Sequence, residues 1–265
     1  METKLADSSS EAIRQEVRRR YAATVGGESS SCADACCAPT STEMLGYSVE
    51  QSAIAPEAAN LGLGCGNPLA IASLRPGQTV LDLGSGAGFD CFLAARAVGP
   101  SGKVIGVDMT HEMLSKARKN AQKGGFTNVQ FQLGEIEALP VADNSIDVII
   151  SNCVINLSPE KACVFREAYR VLKPGGRLAI ADVVATATLP VEVRGDWAAY
   201  TGCVAGASQI SELEEMLRQA GFVEIKIAPK DASRSFMREW LPGKRIEDYV
   251  VSATIEGVKP SRIAT

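Results

Sequence analysis

The sequence predicts an α/β fold built on an open, mostly parallel sheet with helices on both faces. Three observations lead there. Short β-branched and apolar segments recur between residues 79 and 184, helical patterns lie between them, and a glycine-rich turn directly follows the first of these segments. Segments apolar on both sides of the pleat belong to strands covered on both faces, and strand-helix alternation is the pattern of such a sheet.

The elements follow in order. Residues 9–22, SSEAIRQEVRRRYA, place Ile13, Val17 and Tyr21 on one face of a short basic helix. The stretch GGESSSCADACCAPTST, small, polar and rich in Gly and Ser, reads as a mobile segment carrying three thiols, Cys32, Cys36 and Cys37. In LGLGCGNPLAIASL, Asn67 caps a helix whose first residue is Pro68. Five strands are expected at 79–84, 103–109, 129–135, 146–153 and 177–184. The clearest helix spans 159–172, capped by Ser158, opened by Pro159, striped by Phe165, Ala168, Tyr169 and Leu172, and ended by KPGG. Two later apolar runs, 222–228 and 249–258, are expected to complete the sheet, the second suiting a final antiparallel hairpin. Between them and the fifth strand lies an aperiodic stretch with Trp197 and Tyr200, expected to cover the C-terminal edge of the sheet, where open α/β folds bind ligands. The chain therefore divides into an N-terminal segment (1–44), a nucleoside-binding body (45–184) and a C-terminal cover that also completes the sheet (185–265).

Composition excludes several classes. The chain has 265 residues, 46% hydrophobic and 22% charged, with 27 basic against 31 acidic residues and a net charge of −4. That is an ordinary globular composition with no electrostatic drive toward polyanions, so no nucleic acid partner is expected. No window approaches the ~20 apolar residues of a membrane span, and the N-terminus lacks the apolar core of a secretion signal, so the expected setting is the cytoplasm, without a membrane partner. Eight cysteines are many for a compartment that keeps thiols reduced and too few for a disulfide-built fold.

In LDLGSGAGFD, Gly84, Gly86 and Gly88 follow a strand and precede a helix. Glycines permit the tight turn and let a ligand lie against the backbone. Phe89 stands where a dinucleotide fingerprint needs its last glycine, which disfavours a nicotinamide-dependent oxidoreductase. The second strand ends in Asp108, placed to accept hydrogen bonds from both hydroxyls of a ribose. Here the residues resemble the class I S-adenosylmethionine-dependent methyltransferases: VLDLGSGAGFD, VIGVDMT, GEIEALPVADNSIDVI and VLKPGGRLAI are similar to that family's successive motifs. The resemblance implies a Rossmann-like fold with S-adenosylmethionine as co-substrate. It implies further that Asp108 holds the ribose, Met109 packs on adenine, Glu135 and the Ile136 backbone reach the adenine edge, and Asp82 or Asp90 meets the methionine end, with Asn152 beside them. Asp90 also suits simple stabilisation of a first helical turn.

The cysteines separate by position. Cys91 and Cys163 fall inside helices and read as packed small hydrophobes. Cys153 falls at the C-terminal end of the fourth strand, where catalytic and merely buried thiols compete. Cys65, between glycines, and Cys203, beside one, lie in settings expected to be exposed and flexible, which favours a ligand role. Structural zinc is disfavoured by the absence of a C-x-x-C pair and by a single histidine, His111.

Within the methyltransferase class, GLGCGNP, SNCVINLSPEK and YTGCVAGA resemble the arsenite methyltransferases over residues 44–215. That resemblance implies that Cys65, Cys153 and Cys203 bind arsenic(III), and that Cys37, Cys36 or Cys32 pairs with Cys65 during turnover. The further cysteine pair that many relatives carry near the C-terminus is missing here, so late methylation steps or product release are expected to differ. Trivalent arsenic is thiophilic and its lone pair attacks a sulfonium methyl without a general base, in keeping with the absence of a histidine from these cysteine contexts. Cys65 and Cys203, on loops, are expected to close on arsenic after it enters. The expected substrate is arsenite, its glutathione conjugate or methylarsenite, and thioredoxin or glutathione is the expected reductant of a monomeric enzyme. The alternatives are a class I methyltransferase of a small organic or quinone-like acceptor and a non-catalytic metalloid-binding protein.

Overall fold

The structure is a computed structural model that describes residue 5 and residues 8–26 and 41–261. The thiols Cys32, Cys36 and Cys37, including the expected redox partner Cys37, lie outside the described residues.

The chain opens with helix α1 (Ser10–Gly26), followed by the single turns α2 (Val49–Ser52) and α3 (Leu69–Ala72). Alternation then begins: β1 (Thr79–Leu83), α4 (Phe89–Val98), β2 (Lys103–Asp108), α5 (His111–Gly124), β3 (Val129–Leu133), β4 (Ile146–Asn152), α6 (Lys161–Val171) and β5 (Leu172–Ala185). After β5 come the short helices α7 (Val191–Arg194) and α8 (Trp197–Thr201), then α9 (Ile210–Ala220), β6 (Val223–Lys230), α10 (Arg234–Met237) and β7 (Val250–Val258).

One seven-stranded sheet has the order β3-β2-β1-β4-β5-β7-β6. Strands β1 to β5 pair in parallel, while β7 inserts antiparallel between β5 and β6. The chain leaves β1 toward β2 and β3 and later returns to β1's other side with β4, so the crevice above these two strands is the topological switch point where such sheets take ligands.

The period of two along β1 divides the core. Leu81 and Leu83 face a cluster with Phe165 and Val164 of α6 and Leu213 and Leu217 of α9. Val80 faces the opposite cluster, with Phe92 of α4 and Leu114 and Ala117 of α5. Burying a side chain the size of Phe165 or Leu81 contributes about 1.5–3 kcal/mol each, so both helical layers are held chiefly by this apolar contact. Among the described residues no helix is long and apolar enough to cross a membrane.

Several element boundaries differ from those expected. The helix expected over 159–172 begins at Lys161: the Ser158 hydroxyl accepts from Glu160 N (3.0 Å) and donates to Glu137 Oε1 (2.6 Å), which keeps Pro159 and Glu160 outside the helix. The fifth strand starts at Leu172, because Leu172 already pairs with Ile146 ahead of a register irregularity. Helix α1 runs on to Gly26 beyond the expected end at residue 22.

Candidate active site

The turn after β1 places Gly84 and Gly86 in the left-handed region, with φ of 68° and 51°. A Cβ on Gly84 would overlap the side chain of Val154, so this glycine lets the β1 turn lie against the residue that follows Cys153. A Cβ on Gly86 would meet nothing closer than Met113 Sδ at 4.0 Å, so its backbone faces open space. Beyond it is a cleft with about 1300 Å³ of free space, part of it open to solvent.

Asp108 closes one side. Its Oδ2 accepts from Gly86 N (2.9 Å) and its Oδ1 from Thr110 N (2.8 Å). An ionised carboxylate has about four lone-pair sites, so each oxygen keeps one direction for a ligand hydroxyl. Burial pushes this carboxyl above the ordinary Asp range, against the pull of its backbone donors. Met109 is half-buried and Ile136 buried, and both line the same cleft. Glu135 sits at the rim instead, its carboxylate 3.4 Å from the guanidinium groups of both Arg14 and Arg18.

A buried polar chain crosses the other side. Tyr47 donates to Asp90 Oδ1 (2.7 Å), and Asn152 Nδ2 donates to the Tyr47 oxygen (3.0 Å) and reaches Asp90 Oδ2 (3.3 Å). Asp82 accepts from the Cys91 thiol (3.2 Å). Burial raises the Asp90 carboxyl to about 6, partly offset by its Tyr47 and Asn152 bonds. Asp82 is pushed well up by burial and then by the Asp90 charge. Tyr47 escaped sequence reasoning because it precedes the regular strands and nothing local marks it.

The thiols converge at the end of β4. Cys153 leaves the strand with φ of 58°, a left-handed turn uncommon for a residue with a side chain, while its N–H still bonds Ala181 O (2.8 Å). The sulfurs of Cys65 and Cys153 and a carboxylate oxygen of Asp182 lie within 4.8 Å of one another. Cys203, also left-handed with φ of 63°, donates its thiol to the Cys153 carbonyl at 2.8 Å. The thiol of Cys153 is pushed well up by its hydrogen-bonded neighbours Cys203 and Cys65 and then by burial, and burial raises that of Cys65. Both are therefore protonated at neutral pH until a ligand displaces the proton. Cys153 and Cys203 line the cleft that Asp108 and Gly86 border.

Cys65 and Cys203 are not exposed. Each is 2% accessible, packed in a cluster with Tyr47, Leu157, Tyr200 and Trp240. The neighbouring glycines serve close approach: a Cβ at Gly64 would crowd the Asn152 amide and one at Gly66 would press on Ala181. Cys91 is fully buried, whereas Cys163, expected in the core, is half-buried beside the Arg166 guanidinium at 3.0 Å because it falls off the apolar stripe of α6.

Helix α1 completes the enclosure. Val17 is buried, Tyr21 donates to Thr201 O (3.2 Å), and Arg14 stands 2.7 Å from Glu160 and 3.4 Å from both Glu135 and Glu137. Arg14, Val17 and Tyr21 all border the cleft.

Comparison with known proteins adds three findings. Residues 74–221 match the family model described as a methyltransferase domain. The chain is 53% identical to the arsenite methyltransferase of Halobacterium salinarum over 98% of its own length and 70% of that protein's, and 41% identical to that of Aquipseudomonas alcaligenes over 88% and 69%. A crystal structure of an arsenic(III) S-adenosylmethionine methyltransferase from Chlamydomonas reinhardtii superposes with a TM-score of 0.61 at 33% identity, covering 84% of this chain and 73% of that one.

Proposed function

Since this chain belongs to the arsenite methyltransferases, S-adenosylmethionine-dependent enzymes, we propose that Cys65, Cys153 and Cys203 hold arsenic(III) at the mouth of β4 while the Gly84–Gly88 turn and Asp108 hold the methyl donor. The observation that carries this reading is that the Cys65 and Cys153 sulfurs lie within 4.8 Å of each other and the Cys203 thiol sits on the Cys153 carbonyl, with Cys153 and Cys203 lining the glycine-bordered cleft.

The donor supplies an electrophilic methyl group on a sulfonium. Asp108 accepts the ribose hydroxyls, Met109 and Ile136 supply apolar contact for the base, and Asp90, ionised near neutral pH, faces the amino-acid end. The Gly86 backbone leaves room for close approach.

At the thiol end the protein binds a soft centre with soft ligands. Each incoming hydroxide or glutathione ligand leaves arsenic with the thiol proton it displaces, so no separate base is needed. Three sulfurs leave the arsenic lone pair free, and its attack on the methyl carbon forms an As–C bond as the sulfonium S–C bond breaks. The protein's contribution is alignment, with reacting atoms roughly 3–3.5 Å apart. Cys153, on the rigid strand end, is the fixed anchor.

Methyl transfer formally oxidises arsenic by two electrons, and a dithiol that becomes a disulfide returns them. We assign that role to Cys65 with one of Cys32, Cys36 and Cys37, regenerated by thioredoxin or glutathione in a reducing cytoplasm. The substrate class extends to glutathione-bound arsenite and methylarsenite.

The test incubates protein, S-adenosylmethionine, arsenite and a thiol, then separates the arsenic species. Wild type yields methylated arsenicals and each of Cys65→Ser, Cys153→Ser and Cys203→Ser yields none. Methylated product from Cys153→Ser would overturn the assignment.

A further inference from the structure

The three sulfurs come from separate segments, and something must hold their spacing. A multi-ligand site tolerates roughly 0.5 Å of error, and the groups that orient ligands matter nearly as much as the ligands. In this chain the supports flank the central cysteine itself, in the run Asn152-Cys153-Val154-Ile155-Asn156.

Asn152 grips the Cys65 loop at two points. Its Oδ1 accepts from Cys65 N (3.0 Å) and its Nδ2 donates to Gly66 O (2.8 Å). Gly64 permits the approach, since a Cβ there would come within 2.9 Å of the Asn152 amide nitrogen. The same amide reaches Tyr47 and Asp90, so Asn152 belongs to both halves of the site.

Asn156, 1% accessible, grips the other loop. Its Nδ2 donates to Val183 O (2.6 Å) and Asp182 Oδ1 (2.9 Å), and one of these two N–H groups is shared with Cys203 O at 3.3 Å. Asp182 in turn accepts from Ile155 N (2.8 Å) with its other oxygen, which fixes the turn after Cys153 to β5. The Cys203 loop seats closely because Gly206 lacks a Cβ, which would overlap the Asn156 carbonyl.

One bond in this arrangement cannot survive ligation. The Cys203 thiol donates to Cys153 O, and that proton leaves when the sulfur binds arsenic. Of the hydrogen bonds Cys203 makes to the 153–157 turn, the one from Asn156 remains.

We propose that Asn152 and Asn156 are the positioning residues of the thiol site, Asn152 holding the Cys65 loop and Asn156 holding the Cys203 loop at the spacing arsenic requires. This rests on the three-thiol reading above. It predicts a split between the two residues. Asn156 touches only the thiol end, whereas Asn152 joins the thiol end to the donor end.

The test measures arsenite and S-adenosylmethionine binding separately by equilibrium dialysis, together with steady-state kinetics. Asn156→Ala weakens arsenite binding and raises the arsenite KM by about 10–100-fold, while S-adenosylmethionine affinity stays within about twofold. Asn152→Ala weakens both by about tenfold or more. Gly206→Ala, which displaces the Cys203 loop with both asparagines in place, reproduces the Asn156→Ala pattern and serves if that variant fails to fold. Unchanged arsenite affinity in Asn156→Ala, or equal loss of both affinities there, overturns the proposal. Should wild-type arsenite binding survive Cys153→Ser, the three-thiol reading itself fails, an outcome distinguishable from failure of the asparagines alone.

Discussion

The thiol of Cys203 donates to the backbone carbonyl of Cys153 at 2.8 Å, across 50 residues of sequence. Both residues adopt left-handed backbone conformations, which for residues with side chains cost about 1–3 kcal/mol each. Strain of this kind persists only where surrounding structure enforces it, and here both residues line the cleft bordered by Gly86 and Asp108.

Asp108 anchors both the Gly86 and Thr110 backbone nitrogens. Hydrogen bonds to a charged group contribute about 1.5–3 kcal/mol each, so Asp108→Ala is expected to weaken S-adenosylmethionine binding by about 10–100-fold or more. Isothermal titration checks this, and arsenite binding in the same variant should be unchanged.

The Asp90 carboxyl, raised by burial to about 6, predicts two opposite pH trends. Its folded value lies above its unfolded one, so the folded protein binds more protons between pH 4 and 6; stability of the free protein rises as pH falls through that window. Affinity for the cationic donor instead falls as the carboxylate is lost, by about tenfold at one unit below its pKa. Asp90→Asn should flatten both trends in thermal melts and titrations run from pH 4 to 8.

Gly84→Ala places a Cβ on a residue with φ of 68° and against Val154. Backbone strain of about 1–3 kcal/mol adds to a similar cost of overpacking. Denaturant melts should show a loss of about 2–5 kcal/mol. Methyl transfer should fall more than stability alone explains, because Val154 adjoins Cys153.

Arg14 ties α1 to Glu135, Glu137 and Glu160 with its side chain only 12% accessible. Removing it leaves three carboxylates facing one another and frees the helix that borders the cleft. Arg14→Ala is therefore expected to speed tryptic cleavage after Arg18, Arg19 and Arg20 several-fold, with S-adenosylmethionine suppressing the cleavage; an unchanged rate would mean that Val17, Tyr21 and Arg18 hold α1 without Arg14.

Much of the fold was legible because its signals are local. Strand β1, the glycine turn and Asp108 follow one another in sequence in the order in which they border the cleft, and the apolar stripe of α6 marks its buried face. The cysteine contexts were legible through resemblance, but their burial was not. Glycine beside Cys65 and Cys203 suggested mobility, whereas in the structure it allows close packing against Asn152 and Asn156. Tyr47 with Asp90, Arg14 with Glu160 and Asn156 with Asp182 are pairings across 43, 146 and 26 residues. No periodicity or spacing encodes such contacts; they exist only once the sheet has brought its edges together.

The central claim is that three cysteine sulfurs hold one arsenic atom beside the methyl donor. X-ray absorption at the arsenic edge, on protein loaded with one equivalent of arsenite, tests it most directly. Three sulfur neighbours in the wild type, falling to two in each single Cys65, Cys153 or Cys203 to Ser variant, is the predicted result. An arsenic shell that contains oxygen in the wild type, or that keeps three sulfurs when Cys203 is replaced, would contradict it.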